Sequence, residues 1–440
     1  MTRDLYKDGV DFASLASQSA DFAKFLKPNN QLDFTDPDAV RNLTVSLLKR
    51  DFGLVVDIPE ARLCPPVPNR LNYILWLQDL LDTTGTGYRD AYDLERVVTG
   101  LDIGTGCCSI YPLLGVKTRP SWNFIATDID DENIKTSTET VKKNNLESRI
   151  RIMKTSADGD LIPLDTLGVE RLDFTICNPP FYSSQDEMVA SAKGKDRPPF
   201  SACTGAEIEM VTPGGEVSFV FRIIAESIAL REKVLWYTSM LGKLSSVSTL
   251  IENLIELGNT NYAVTELVQG NKTRRWAIAW SWADRRPAVS VARGIQSPNY
   301  PKHLLPFPSE YTFTLPGRSI DEISSAINAE LSSLYISWTW HSDFTMGIGF
   351  ASTNVWSRQY RRMMKTTPGA LDGKLEVDPD TAALGFRIQL AMRSDAVETE
   401  GGTRTEEKSI KVLVRWLKGM DSVLFESFCG MMKRKLEGRQ

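Results

Sequence analysis

The chain reads as an α/β protein: an open, mostly parallel sheet with helices between its strands, preceded by a helical module and followed by an α+β module. Three observations predict this. Strand-length apolar runs alternate with helical periodicity from Val97 to Trp282. One run ends in Gly104-Thr105-Gly106 and a later one in Asn178-Pro179-Pro180-Phe181, so two strand ends carry special turn chemistry. After Arg285-Arg286-Pro287 the pattern breaks into a proline-rich stretch, beyond which strands and helices resume.

Residues 1–75 read as the helical N-terminal module, with Asp11-Phe12 to Phe25 and Pro37 to Phe52 as helices. The second opens on Thr35-Asp36-Pro37, a cap followed by proline in the first turn, and closes at Gly53. Pro65-Pro66-Val67-Pro68 forms a stiff connector into a helix from Asn69 to Leu81. This module either packs against the sheet edge or meets a polyanion; composition does not decide between them.

Residues 76–287 hold the sheet. Val97 to Ile103 is an apolar strand running into Gly-x-Gly, whose glycines allow close backbone approach to a ligand. No third glycine stands at dinucleotide spacing and no Gly-Lys-Ser/Thr follows, which excludes a nicotinamide fingerprint and a P-loop. The next strand, Asn123 to Asp128, ends in a carboxylate placed to hold two ribose hydroxyls. A helix from Asp131 to Asn145, a strand from Arg149 to Lys154 and the loop Ser156-Ala157-Asp158 lead to the strand Leu172 to Cys177.

That strand must stop at Asn-Pro-Pro, because neither proline can donate to a ladder. Asn178, the Pro179 carbonyl and the Phe181 ring are therefore presented at a strand's C-terminal edge. Two acceptors beside a flat ring suit an amino group on a planar base, which the ring stacks against. Taken alone, an ordinary Pro-Pro loop after a buried strand fits equally well; the glycine turn and the acid one strand later tip the balance.

Residues 183–213 read as a long loop without its own structure, either a lid ordered by a ligand or a linker. Glu216 to Arg231 is an apolar-faced helix, Val234 to Met240 a strand, Val247 to Leu257 a helix, and Tyr262 to Val268 with Trp276 to Trp282 a closing pair of strands. Seven strands result, the last reversed.

Residues 288–308 read as a linker and 309–440 as an α+β module with its own core. Its expected elements are a strand Glu310 to Leu315, a helix Ser319 to Leu334, strands at Tyr335 to Trp340, Thr345 to Phe350, Leu384 to Arg393 and Ile410 to Leu417, and a final helix from Asp421. Residues 395–407 read as a polar loop. The basic segment Trp356 to Lys365 carries Arg361 and Arg362 beside aromatics, which suits nucleic acid; dimerisation or protein binding is the alternative for this module.

Composition narrows the class. No apolar run reaches membrane-spanning length. Six cysteines occur without Cys-x-x-Cys spacing and only two histidines are present, so no metal site is expected and a reducing intracellular compartment is. The net charge of -5 means that any nucleic-acid surface is a local patch.

Several blocks together resemble one family. Val67-Pro68-Asn69-Arg70-Leu71-Asn72-Tyr73-Ile74, Leu101 to Gly106, Ile110 to Gly115, Asn178 to Tyr182, Gly214-Gly215-Glu216, Trp236 to Lys243 and Arg275 to Trp280 follow the order found in the methyltransferase-like protein 16 family. These are RNA adenine-N6 methyltransferases that modify U6 small nuclear RNA and are related to a bacterial ribosomal RNA enzyme. The likeness runs over residues 5 to 283. It implies a Rossmann-like class I methyltransferase sheet, S-adenosylmethionine as cofactor, structured RNA as partner and a nuclear, with some cytoplasmic, location.

It also implies roles. Asn178, Pro179, Pro180, Phe181 and Tyr182 would form the catalytic motif. Asp102, Gly104, Thr105, Gly106, Asp128, Ala157, Asp158 and Asn178 would surround the cofactor, and Arg70 would pair with its carboxylate, a role taken from the resemblance alone. Asp128 stands where the family often has Glu. Lys7, Lys49, Lys193, Lys195, Arg197, Lys272, Arg274, Arg275, Arg361 and Arg362 are the RNA-contact candidates. The same pocket would also serve a protein glutamine amide or a DNA adenine, and a non-catalytic RNA-binding protein could keep the fold.

Overall fold

A computed structural model describes residues 5–193, 205–269, 273–366, 377–398 and 404–438. The chain divides into two compact units: residues 1–82, 91–283 and 291–306 in the first, and 83–90, 284–290 and 307–440 in the second.

The first unit is built on an eight-stranded sheet. Its strands are β1 (Val98–Ile103), β2 (Trp122–Asp128), β3 (Ile150–Lys154), β4 (Leu172–Cys177), β5 (Val234–Leu241), β6 (Tyr262–Gln269), β7 (Thr273–Trp280) and β8 (Arg293–Gly294), in the order β3-β2-β1-β4-β5-β7-β6-β8. All neighbours run parallel except β7, which is antiparallel to both β5 and β6. The strand order reverses at β1, with β2 on one side and β4 on the other. Ligands in open α/β sheets bind beyond the carboxyl ends of strands at such a point.

Close packing beneath that point is set by glycine. A Cβ on Gly100 of β1 would stand 2.2 Å from Cζ of Phe174 on β4, so the ring lies across a position that only hydrogen can fill. Phe174 is fully buried and meets Phe124 and Trp122 edge-on or tilted. On the other side of the sheet's centre, Tyr237 stacks on Trp280 with ring centroids 5.7 Å apart.

Four expectations for this unit change. The division at residue 75 falls inside a continuous helix, Val67–Thr83, whose Tyr73, Ile74, Leu77 and Leu80 are fully buried; the N-terminal segment shares one unit with the sheet. Arg62 reinforces this by contacting Asp130 at 2.8 Å and Glu132 at 2.6 Å, just past β2. The expected first helix is broken at Ser19, which instead caps a short helix, Ala20–Ala23, by accepting from the Phe22 N–H. Residues 288–308 are not a linker: Ile295, Tyr300 and Leu304 are buried in the core of the sheet and Arg293–Gly294 add the eighth strand. Their prolines hid this, because a two-residue strand leaves no periodicity.

The helix Pro37–Phe52 forms as expected, with Asp36 accepting from Asp38 N and Gly53 closing it at φ 62°. Residues 183–213 are not structureless, since helices Gln185–Lys193 and Glu207–Met210 lie at its ends.

The second unit holds a five-stranded antiparallel sheet, β9 (Glu310–Pro316), β10 (Ser337–His341), β11 (Met346–Ala351), β12 (Leu384–Glu398) and β13 (Arg404–Lys418), ordered β10-β11-β12-β13-β9. Helices Ile320–Ser332 and Ser422–Leu436 bury Ile323, Ile327, Leu331, Phe425 and Phe428 in its core. β12 and β13 extend to Glu398 and from Arg404, so most of the expected 395–407 loop is strand. Arg415 is 1% exposed and gathers the unit's separate segments, donating to the Pro287 carbonyl and Ser309 Oγ, both at 2.9 Å. No helix among the described residues is long and apolar enough to cross a membrane.

Candidate active site

The carboxyl ends of β1, β2 and β4 open into a cavity of about 470 Å³, in the range that suits a small-molecule ligand. Gly104 and Gly106 turn the chain out of β1 with φ of 72° and 67°, the left-handed region that glycine enters freely. The turn is anchored by Gly104 N and Thr105 N donating to the Thr127 carbonyl at 3.0 and 2.9 Å. A Cβ on Gly104 would meet nothing within 4 Å, so the turn's backbone faces open space.

Asp128, at the end of β2, is 7% exposed. Its Oδ2 accepts from Gly106 N at 2.9 Å and its Oδ1 from Asp130 N at 3.0 Å. The Asn133 Nδ2 approaches both oxygens at 3.4 Å. Backbone donors thus hold the carboxylate rigid, with lone pairs left over.

Asp102 lies below the cavity rather than on its wall. It is fully buried, its Oδ2 accepting from Thr105 Oγ1 at 2.6 Å while Oδ1 has no hydrogen-bond partner. Burial pushes its carboxyl up to about 7; the Thr105 bond opposes the shift and the charge of Asp128 adds to it. Ala157 and Asp158 line the same cavity, as do Asn178, Pro179 and Pro180.

Arg70, on the helix Val67–Thr83, is 6% exposed and also lines the cavity. Its Nη1 donates to Asn178 Oδ1 at 3.0 Å, and the guanidinium lies 5.6 Å from the Tyr111 ring centroid. Phe181 and Tyr182 do not line the cavity. The Phe181 ring sits between Gly242, whose added Cβ would stand 3.1 Å from Phe181 Cδ1, and Arg275, whose guanidinium carbon is 5.5 Å from the ring centroid. Tyr182 is fixed through its backbone, its N–H donating to Met210 O and its carbonyl accepting from Thr212 N.

The RNA-contact candidates scatter. Arg275 is half-buried at the motif, and Arg274 pairs with Glu266 at 2.7 Å. Lys7 and Lys49 are exposed on the N-terminal segment, and Arg361 and Arg362 are exposed on the helix Arg358–Thr366 of the second unit. Lys193 ends the helix Gln185–Lys193, and Lys195, Arg197 and Lys272 lie outside the described residues.

Two carboxylates escaped the sequence reading. Glu209 lines the cavity and accepts from the backbone of Leu63 and Ala206, both at 2.9 Å; burial raises its carboxyl above the usual range. Glu216 is 3% exposed and accepts from Gly242 N at 2.6 Å and Lys243 N at 3.2 Å, fixing the turn on which Phe181 rests. Glu216 belongs to Gly214-Gly215-Glu216, one of the blocks that carry the family resemblance, but nothing in its spacing indicates a contact with residue 242.

A family model described as RNA methyltransferase matches residues 1–284. Along 410 residues the chain is 35% identical to the U6 small nuclear RNA (adenine-(43)-N(6))-methyltransferase of Schizosaccharomyces pombe, covering 93% of this chain and 96% of that one. The chain belongs to the METTL16 family of RNA methyltransferases. It is 42% identical over 297 residues to the human RNA N(6)-adenosine-methyltransferase METTL16, covering 64% of this chain and about half, 50%, of the human one. The crystal structure of the human METTL16 catalytic domain with a MAT2A 3′UTR hairpin superposes with a TM-score of 0.57 at 41% identity, covering 64% of this chain and 96% of that one. The human N-terminal domain in complex with SAH gives 0.52 at 40% identity, over 64% and 99%.

Membership brings a Rossmann-like methyltransferase fold and S-adenosylmethionine as the cofactor. The METTL16-family chain fits that cofactor on its own geometry. A glycine turn open to the cavity, a rigid carboxylate beside it and a buried guanidinium together offer a close backbone approach, hydroxyl acceptors and an anion partner.

Proposed function

We propose that this chain transfers a methyl group from S-adenosylmethionine to the N6 amine of an adenosine held in structured RNA, with U6 small nuclear RNA as the first candidate. The observation that supports it most is that Asn178 and Pro179 stand on the wall of the cavity that Gly104, Gly106 and Asp128 open, in a chain similar along its length to a U6 RNA enzyme. Acceptors for an amine and a binding place for a methyl donor thus share one space.

Asp128 would hold the ribose hydroxyls of the donor, the Gly104–Gly106 turn would take its amino-acid end, and Ala157 and Asp158, on the same cavity wall, would flank its adenine. Bound there, the donor supplies an electrophilic methyl on a sulfonium. A flipped-out adenine enters the pocket beside it. Asn178 Oδ1 and the Pro179 carbonyl accept the two N–H bonds of its amine, which turns the nitrogen lone pair toward the methyl. Phe181, with Tyr182 beside it, supports the base by stacking. Alignment carries most of the rate. The N–C bond would form as the S–C bond breaks, leaving S-adenosylhomocysteine, and the amine proton, acidic only once the nitrogen is methylated, would pass to water without a strong base. Arg275 beside Phe181, and Arg361 and Arg362 on the second unit, bind phosphates, and the work is done in the nucleus.

The test is transfer of tritiated methyl to a U6-like hairpin with an unpaired target adenosine, against the same hairpin with guanosine there. Label in the adenosine RNA alone is expected. Label in protein instead would move the function to a glutamine amide, whose amine the same acceptors fit.

A further inference from the structure

We propose that Arg70 is a positioning residue for Asn178: its guanidinium keeps the oxygen of the amide, rather than the nitrogen, turned to the base. The proposal rests on the adenine reading of Asn178 and assigns Arg70 a task separate from any toward the methyl donor.

An asparagine amide is nearly symmetric in shape, and a half-turn exchanges its acceptor for a donor. With the nitrogen forward, Asn178 would point N–H at an amine whose own hydrogens need an acceptor, and the base would be repelled. Something must break the symmetry. Among the described residues, Arg70 is the side chain that hydrogen-bonds the Asn178 amide, through Nη1 to Oδ1 at 3.0 Å. Arginine has five N–H donors and no acceptor, so it tolerates only the oxygen on its side. The oxygen has two lone pairs, and one bond to Arg70 leaves the other pair for the amine.

The guanidinium is itself well held. It is 6% exposed, rises from a helix whose neighbouring residues are buried and lies against Tyr111. No ion pair to Arg70 forms among the described residues; its Nη1 is directed to two neutral acceptors, Asn178 Oδ1 at 3.0 Å and Met240 Sδ at 2.9 Å.

The decisive measurement uses the full chain with no methyl donor present. Its affinity is compared for a U6-like hairpin carrying adenosine at the target position and for one carrying purine riboside, which lacks the amine. Wild type is expected to prefer adenosine by about tenfold, the worth of two neutral hydrogen bonds. Arg70→Met is expected to lose that preference while keeping its affinity for the purine hairpin, which also reports that the variant is folded. Should Arg70→Met not fold, Arg70→Gln carries the same comparison, because its amide offers both a donor and an acceptor and so enforces neither orientation of Asn178. A variant that keeps the full preference overturns the proposal. A wild type with no preference overturns the adenine reading itself, a result that does not involve the variants.

Discussion

The backbone N–H of Gly106 donates to the Asp128 carboxylate at 2.9 Å, so the turn after β1 and the acid ending β2 form one rigid wall. A side chain longer by one methylene changes how that bond and the reach into the cavity are shared. Asp128→Asn is expected to weaken S-adenosylhomocysteine binding by about tenfold to a hundredfold, the range for losing a charge-assisted hydrogen bond. Asp128→Glu, read by calorimetry in the same titration, is expected to fall between the two.

Asn178→Ala removes one of the two proposed amine acceptors without touching the glycine turn. Methyl transfer is expected to drop by about a hundredfold to a thousandfold, as when one preorganised hydrogen-bonding group is deleted from an active site. Binding of S-adenosylhomocysteine should stay near the wild-type value. Full transfer by the variant, measured in single turnover, would contradict the mechanism.

A methyl on Gly242 would stand 3.1 Å from Phe181 Cδ1 and 3.2 Å from Glu216 Oε2. The ring or the turn must give, and either movement shifts the stacking surface. Gly242→Ala is expected to lower kcat/KM for RNA by about tenfold or more, since small misplacements of a positioned base are expensive. Donor affinity, measured in parallel, should not move.

Burial raises the Asp102 carboxyl to about 7 from the usual 3.8. The folded chain therefore holds this proton more tightly than the unfolded chain. The stability it contributes is fully present below about pH 3.8 and is lost as pH rises through about 7. Melting curves from about pH 5 to about pH 8 should show the advantage of wild type over Asp102→Asn shrinking as pH rises. An advantage that grows with pH would place an ionised carboxylate at this position in the folded state.

Arg361 and Arg362 are exposed on the helix Arg358–Thr366. Reversing both to Glu is expected to weaken RNA affinity several-fold at low salt and to flatten its dependence on salt, because fewer counterions are released. Turnover at saturating RNA should be unchanged. Unaltered affinity would favour a protein partner for the second unit.

The strands and helices around the site were legible because each carries its own signal. Val98–Ile103 and Leu172–Cys177 are apolar runs, the first ended by a left-handed glycine turn at Gly104 and the second by the pair Pro179-Pro180, which cannot donate to a ladder. The glycine turn, the acid at Asp128 and the Asn178 motif could be placed in one pocket because parallel strands bring their carboxyl ends together. Local chemistry at a strand end needs no distant partner to be recognised.

What tertiary structure alone decided lies between residues far apart in the chain. Arg70 meets Asn178 across 108 positions, Leu63 donates to Glu209 across 146, and Glu216 holds Gly242 across 26. The burial of Ile295, Tyr300 and Leu304 in the sheet's core is of the same kind. Composition and periodicity report the preferences of neighbours along the chain. A hydrogen bond or a packing contact between separate elements depends on how those elements fold against one another, and no local pattern encodes that.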